Sequence, residues 1–233
     1  MFKSTKKIIA LLPMKGHSER VPNKNMRNFY GKPLYQLIMQ SLTKSKYVKK
    51  IIINTDSEEI ARNASENFKD VAIIYRPGHI QGDMVPMNDI IAHDISKAQE
   101  DHFLQTHCTN PLLTATTIDR AIENYFNRLD QYDSLFSVTR HQTRLYWKNG
   151  TPINHDPQKL IRTQDLEPAY EENSNLYLFS RASFIESGHK RIGSKPQMFE
   201  IDKLEAVDID EEADFKLAEA LYSLMHGGRD TCI

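Results

Sequence analysis

Cysteine is nearly absent from this 233-residue chain: only Cys108 and Cys232 occur, 124 positions apart. That excludes a disulfide framework and a zinc knuckle, and it makes a reducing cytoplasm the expected compartment. Net charge is also lacking, with 30 Lys+Arg against 31 Asp+Glu. No bulk field drives the chain onto nucleic acid or an anionic membrane, and no basic helix or aromatic-interleaved stripe makes up for it. No apolar run approaches the ~18–20 residues of a membrane span. The basic start (Lys3, Lys6, Lys7) is followed by an apolar stretch of only residues 8–12, too short for a secretory signal core. Internal repeats, low-complexity tracts, the Walker pattern and Gly-x-Gly-x-x-Gly are all missing, which argues against a P-loop enzyme and a dinucleotide-binding fold.

What remains is an ordinary globular balance, 39% hydrophobic and 26% charged, at a length suited to one domain spanning 1–233. Short apolar runs at 8–12, 51–53, 71–74, 102–105 and 134–138 read as strands. Amphipathic stretches near 34–42, 57 onward, 86–99 and 116–126 read as the helices between them. This alternation predicts a mostly parallel α/β sheet covered on both faces, with 102–105 at an edge. From 140 to 175 the rhythm stops in a polar, turn-rich stretch, which a compact domain tolerates only if it is functional or packs on a partner. Order resumes with a strand at 176–179, a helix near 181–187, a strand near 198–201 and a C-terminal helix over about 211–225, stopped by Gly227-Gly228.

Ligands of such sheets sit beyond the carboxyl ends of the strands. The loop after the first strand, extended through Pro33, holds Lys15, Arg20, Lys24, Arg27 and Lys32 against the single acid Glu19. A cationic loop there suits a polyphosphate, the competing reading being a solvated surface loop. Asp208-Ile209-Asp210 places two carboxylates on one side of an extended segment, as a hard cation such as Mg²⁺ requires (Mn²⁺ also qualifies). Capping of the following helix explains the same acids without a metal. Cys108 reads as a small buried residue, and Tyr146, Trp147 and the Phe215/Leu217/Leu221 pattern as packing.

Pro13-x-Lys15-Gly16-x-Ser18-x-Arg20-x-Pro22-x-Lys24-Asn25, followed by Gly31-Lys32-Pro33-Leu34, resembles the signature loop of the CMP-sialic acid synthetases (acylneuraminate cytidylyltransferases) and the related Kdo cytidylyltransferases. Asn54-Thr55-Asp56, Arg76-Pro77, Asp83, Thr109-Asn110-Pro111-Leu112 and Asp208-Ile209-Asp210 continue the likeness in order. The resemblance implies a Rossmann-like nucleotidyltransferase fold with a protruding dimerisation arm at 140–175, a homodimer, and transfer of CMP from CTP to an acid-sugar acceptor with release of pyrophosphate. By position it assigns catalysis to Lys15, Arg20 and Lys24. It assigns nucleotide binding to Lys15, Ser18, Asn25, Arg76, Asp83 and His107, and Mg²⁺ to Asp208 and Asp210.

This sequence departs from the pattern on the acceptor side. Glu19 stands where a lysine is usual, His107 where glutamine is usual, Leu113 where an arginine often follows, and Glu171 aligns with an arginine that binds the sugar carboxylate. Arg140, Arg144 and Arg162 of the arm, reaching into the neighbouring subunit's site, with Glu171 and Asn173, are the expected acceptor contacts. N-acetylneuraminate is therefore not the expected best substrate. Another acceptor such as a phosphonate, or an inactive nucleotide-binding homologue, are the competing readings.

Overall fold

The computed structural model describes residues 7–226, so the expected Gly227-Gly228 stop and Cys232 lie outside the described residues. The first strand, β1 (Ile8–Met14), is buried along its whole length. Its side chains alternate between two cores, as a pleated strand covered on both faces must. Ile8, Ala10, Leu12 and Met14 point into one cluster and Ile9 and Leu11 into another.

After a short hairpin of β2 (Asn28–Phe29) and β3 (Lys32–Pro33) come α1 (Tyr35–Lys44), β4 (Val48–Thr55), α2 (Glu58–Asn67), β5 (Val71–Tyr75), α3 (Met87–Lys97), β6 (His102–Gln105), α4 (Ala115–Asn127) and β7 (Ser134–His141). The chain then runs through β8 (Ala169–Ser180), α5 (Arg181–Glu186), β9 (Pro196–Glu200) and α6 (Glu212–His226). The hairpin turn sits at Tyr30 and Gly31, both at positive φ (47° and 81°), as a two-residue turn matching strand twist demands. Ser57 and Thr114 cap their helices through side-chain oxygens that accept from the N–H of Ile60 and Thr117.

Seven strands form one sheet in the order β5-β4-β1-β6-β8-β7-β9. Four neighbouring pairs are parallel, while β8 runs antiparallel to both β6 and β7. Helices α1, α2 and α4 cover one face through Ile38, Ile60, Ile118 and Ile122. Helices α3 and α5 cover the other through Ile91, Ile95 and Phe184. The result is the expected α/β architecture, with one correction: β6 lies inside the sheet, between β1 and β8, and is not an edge.

The irregular stretch expected over 140–175 is shorter than its composition suggests. β7 continues to His141 and β8 begins at Ala169, so their far ends pair as a two-stranded extension, Val138↔Glu172 to His141↔Ala169. Both strands are polar there because no helix covers them, and polar strands without alternation carry no signal in sequence. Between them Tyr146 bridges Pro152 and a 3₁₀ turn spans Thr163–Asp165. At the base of this arm the register breaks between Phe136 and Val138. Ser137 Oγ there donates to Asn173 Oδ1 (2.6 Å) and accepts from the Leu176 N–H (2.9 Å), and Ser174 turns at φ 59°. Tyr146 and Trp147 do not join the core: they are 53% and 62% exposed on the arm, where Tyr146 packs on His155. Leu217 of α6 is likewise exposed, whereas Phe215 is buried.

Among the described residues no helix is long and apolar enough to cross a membrane.

Candidate functional site

The carboxyl ends of β1, β5 and β6 face two adjoining cavities of about 240 and 440 Å³. The segment 208–210, which leads into α6, closes the same region from above the sheet. It is anchored there by Arg27, whose guanidinium bonds both carboxylate oxygens of Glu212 and stacks 3.9 Å over Phe215. The loop after β1 lies close against β4. A Cβ on Gly16 would stand 2.9 Å from the Ser57 Cβ, and the Gly16 N–H donates to Asp56 Oδ1 at 2.6 Å. This explains the glycine at that point.

Ten residues singled out in the sequence gather around the two cavities. Lys15, Ser18, Lys24, Asp83 and His107 line both. Asn25 and Arg76 line the smaller, and Arg20, Asp208 and Asp210 the larger. The cations are already paired. Lys15 bonds Asp83, whose carboxyl is held below the usual range by that hydrogen bond and charge. Arg20 donates to Asp210 Oδ1 at 2.7 Å. Lys24, 8% exposed, donates to the Ile209 carbonyl at 2.6 Å and stands 3.7 Å from Asp210. A polyanion entering here replaces carboxylates on preset cations rather than recruiting cations from solvent.

Other members organise the walls. Asn25 donates to the Lys15 carbonyl (2.8 Å) and accepts from the Cys108 thiol, fixing the loop from inside. Cys108 is buried as expected, and burial pushes its thiol to about 12. Arg76 is buried, with Nε on Asn54 Oδ1 (2.7 Å) and Nη2 on the carbonyls of Asn54 and Met14. Asn54 in turn donates to Asp94 Oδ1 (2.5 Å), a carboxylate with no solvent exposure. Burial pushes Asp94 up to about 7, against the pull of Asn54 and Arg76. Burial and the nearby Arg191 charge drive His107 down to about 3. Its neutral Nε2 accepts from Gln105 Nε2 at 3.1 Å.

Asp208 carries one oxygen of the kind a hard cation takes. Its Oδ1 is buried without a hydrogen-bond partner. Burial raises its pKa, opposed by a hydrogen bond from Thr109 and reinforced by the Asp210 charge. An orphaned buried carboxylate oxygen beside a second carboxylate fits a divalent ion. No group of three or more ligating side chains is found among the described residues, so an ion here keeps waters or ligand oxygens, as Mg²⁺ ordinarily does.

Within one chain the expected acceptor contacts stand apart from this cluster. Arg144 donates to the Ile161 carbonyl at 2.6 Å, Arg162 pairs with Asp165 at 2.6 Å, and Glu171 pairs with His141 at 2.7 Å, all within the arm. Arg140 sits on β7 within the same extension. Asn173 is buried, with its amide committed to Ser137 and Thr139. Leu113 packs in the main core, so it is no acceptor position of either sign. Sequence reasoning missed Arg191 and Ser174, which line the larger cavity. Arg191 lies in an aperiodic loop after α5 with no signal of its own. Ser174 sits at the break in β8, which only the strand pairing reveals.

Residues 9–226 match the cytidylyltransferase family. The chain belongs to that family. Among curated relatives, it is 27% identical over 225 residues to post-translational flagellin modification protein B of Campylobacter coli, covering 92% of this chain and 94% of that one. It is 24% identical over 233 residues to the pseudaminic acid cytidylyltransferase of Campylobacter jejuni, covering 94% and 98%. Against the N-acylneuraminate cytidylyltransferase of Escherichia coli it is 26% identical over 220 residues, 91% of this chain but 51% of that longer one. A solved CMP:2-keto-3-deoxy-manno-octonic acid synthetase complexed with CTP shares the fold of this cytidylyltransferase. Its TM-score is 0.69 at 13% identity, with 94% and 99% of the two chains covered. The Rossmann-like nucleotidyltransferase fold expected from the cytidylyltransferase motifs is the one observed.

Proposed function

We propose that this cytidylyltransferase transfers CMP from CTP to a nonulosonic, sialic-acid-like acid sugar and releases pyrophosphate, for the synthesis of a surface glycan. The observation that carries the reading is the convergence of Lys15, Arg20 and Lys24 on the carboxylates of Asp83 and Asp210 at the mouth of β1. The relatives named for pseudaminic and N-acylneuraminic acids support the acceptor class.

In this reading the acceptor hydroxyl attacks the α-phosphorus of CTP. One P–O bond forms there, the bridge to the β-phosphate breaks, pyrophosphate leaves, and the hydroxyl proton is released to water. Such a transfer asks for positioning and charge neutralisation more than for a strong base. Lys15 and Lys24 grip the phosphates, and Arg20 supplies charge beside Glu19, where relatives carry a lysine. Ser18 and Asn25 shape the loop, Arg76 contributes to the base pocket, and neutral His107 offers a hydrogen bond without charge. Asp208 and Asp210 would hold Mg²⁺, which supplies charge neutralisation on the phosphates when bound.

A homodimer joined through the arm accounts for the exposed apolar residues Trp147, Leu160 and Ile161, and a cytoplasmic location suits the unbridged buried thiol of Cys108. N-acetylneuraminate is not proposed as the preferred acid, because the sequence departs from the sialate pattern at Glu171. Incubation with each of the four nucleoside triphosphates and a mixture of nonulosonic acids, followed by mass spectrometry, tests the reaction. A CMP-sugar made from CTP is expected, and a product made equally well from ATP or GTP would refute it.

A further inference from the structure

Every cation lining the larger cavity but one is matched to a carboxylate. Lys15 faces Asp83, and Arg20 and Lys24 face Asp210. The exception is Arg191, which takes part in none of the ion pairs among the described residues. It is not a loose surface arginine. Its Nη1 donates to Gln105 Oε1 at 2.6 Å, and the guanidinium lies 3.7 Å over the Tyr177 ring. Gln105 is itself fully buried and tied to the Thr106 carbonyl and His107. The Tyr177 hydroxyl is held by Glu172 and Ser174. The fork is thus fixed in place by a buried amide and a clamped ring. Glu172, which holds the Tyr177 hydroxyl, is the carboxylate whose charge reaches Arg191, without forming an ion pair with it. Removing a guanidinium from water with so little compensation is costly, and rigid placement suits a planar, two-point anion.

Position along the sheet separates Arg191 from the nucleotide side. Arg76 follows β5, the Lys15 loop follows β1, and Gln105 ends β6 opposite Tyr177 of β8. Arg191 therefore stands across the phosphate-gripping loop from Arg76, where the second substrate must enter if the base lies at Arg76. Within one chain, two of the three arm arginines are committed to the arm itself, Arg144 to a backbone carbonyl and Arg162 to Asp165.

We propose that Arg191 is a specificity-determining residue that binds the carboxylate of the acid acceptor, held for that contact by Gln105 and Tyr177. This rests on the acid-sugar reading above. It also replaces the aligned position 171 as the source of positive charge, with Glu171 left to the arm.

The test begins with wild-type enzyme, CTP, Mg²⁺ and a panel of nonulosonic acids in a pyrophosphate-release assay, and continues with Arg191→Met and Arg191→Lys on the acid that turns over best. Losing a charge-assisted contact predicts an acceptor KM raised about 10- to 100-fold in Arg191→Met, with the CTP KM within threefold of wild type. Arg191→Lys keeps the charge but not the fork and should fall between the two. A melting curve and CTP titration on each variant separate this from a folding defect, which would lower the apparent kcat, and from a general distortion of the site, which would raise the CTP KM as well and overturn the assignment. Adding the carboxamide of the same acid separates charge recognition from packing: it should be equally poor with wild type and Arg191→Met. Turnover with an acceptor KM unchanged in Arg191→Met overturns the assignment while leaving the function intact. Absence of turnover with every acid overturns the functional reading and this assignment with it.

Discussion

Lys24 donates its ammonium to the backbone carbonyl of Ile209 at 2.6 Å, across 185 residues of chain. This one buried contact ties the cationic loop after β1 to the segment that carries Asp208 and Asp210. Lys24 and Lys15, nine residues apart, therefore answer differently to substitution. Lys24→Met leaves a buried carbonyl unpaired, which costs about 1–3 kcal/mol of stability in addition to activity. Lys15 is half-exposed and bonded only to Asp83, so Lys15→Ala should melt near wild type while losing about 30- to 1,000-fold in kcat/KM, worth roughly 2–4 kcal/mol. Paired melting curves and steady-state kinetics check this. A Lys15→Ala enzyme as active as wild type would return the loop to a solvated surface.

Asp210 serves two tasks, accepting from Arg20 and facing Lys24, whereas Asp208 holds an oxygen with no partner. Asp208→Asn removes a ligand without releasing a cation. It should lower turnover by orders of magnitude, raise the Mg²⁺ concentration needed for half-maximal rate, and leave the melting temperature in the absence of metal unchanged or higher. Titrating rate against Mg²⁺ for Asp208→Asn and for Asp210→Asn decides it. Activity within a few-fold of wild type at low Mg²⁺ in both would remove the carboxylates from the site.

Asp94 carries a pH signature. An aspartate of ordinary pKa 3.8 is pushed up to about 7 by burial, so the folded protein keeps a proton that the unfolded chain gives up between those values. Stability from this group is fully present below the ordinary pKa and is lost as pH rises toward 7. Asp94→Asn cannot lose it. Its melting temperature relative to wild type should climb from pH 4 to pH 7 and level off above, a differential on the order of a few kcal/mol. Parallel stability curves for the two proteins would contradict the assignment.

The arm leaves Leu160 92% exposed, with Trp147 and Ile161 also in solvent. A homodimer seated on the arm predicts twice the 27.0 kDa chain mass in sedimentation of wild type at micromolar concentration. Leu160→Asp combined with Ile161→Asp should give the monomer with its melting temperature little changed. A wild-type monomer would refute the dimer.

What could be read in advance follows from where the chemistry is stored. Lys15, Arg20, Lys24 and the 208–210 carboxylates lie in short local motifs, so residue type and spacing announce them. The inner strands announce themselves as continuous apolar runs such as 8–12. Residues 169–173 form a strand with no covering helix, so burial never imprinted a pattern on them. Arg191 reaches the cavity only because β8 returns antiparallel to β6 and α5 turns the chain back, and neither step marks the residues around position 191. Leu113 failed for the opposite reason: alignment by motif puts it beside the site, whereas its apolar side chain goes to the core.

The measurement that bears most directly on the whole account is pyrophosphate release by the wild-type enzyme with CTP and Mg²⁺ against N-acetylneuraminate, other nonulosonic acids, Kdo and small phosphonates, compared as kcat/KM. The account predicts turnover with a nonulosonic acid other than N-acetylneuraminate as the best substrate. A clear preference for N-acetylneuraminate or for a phosphonate, or no turnover with any acid, would contradict it.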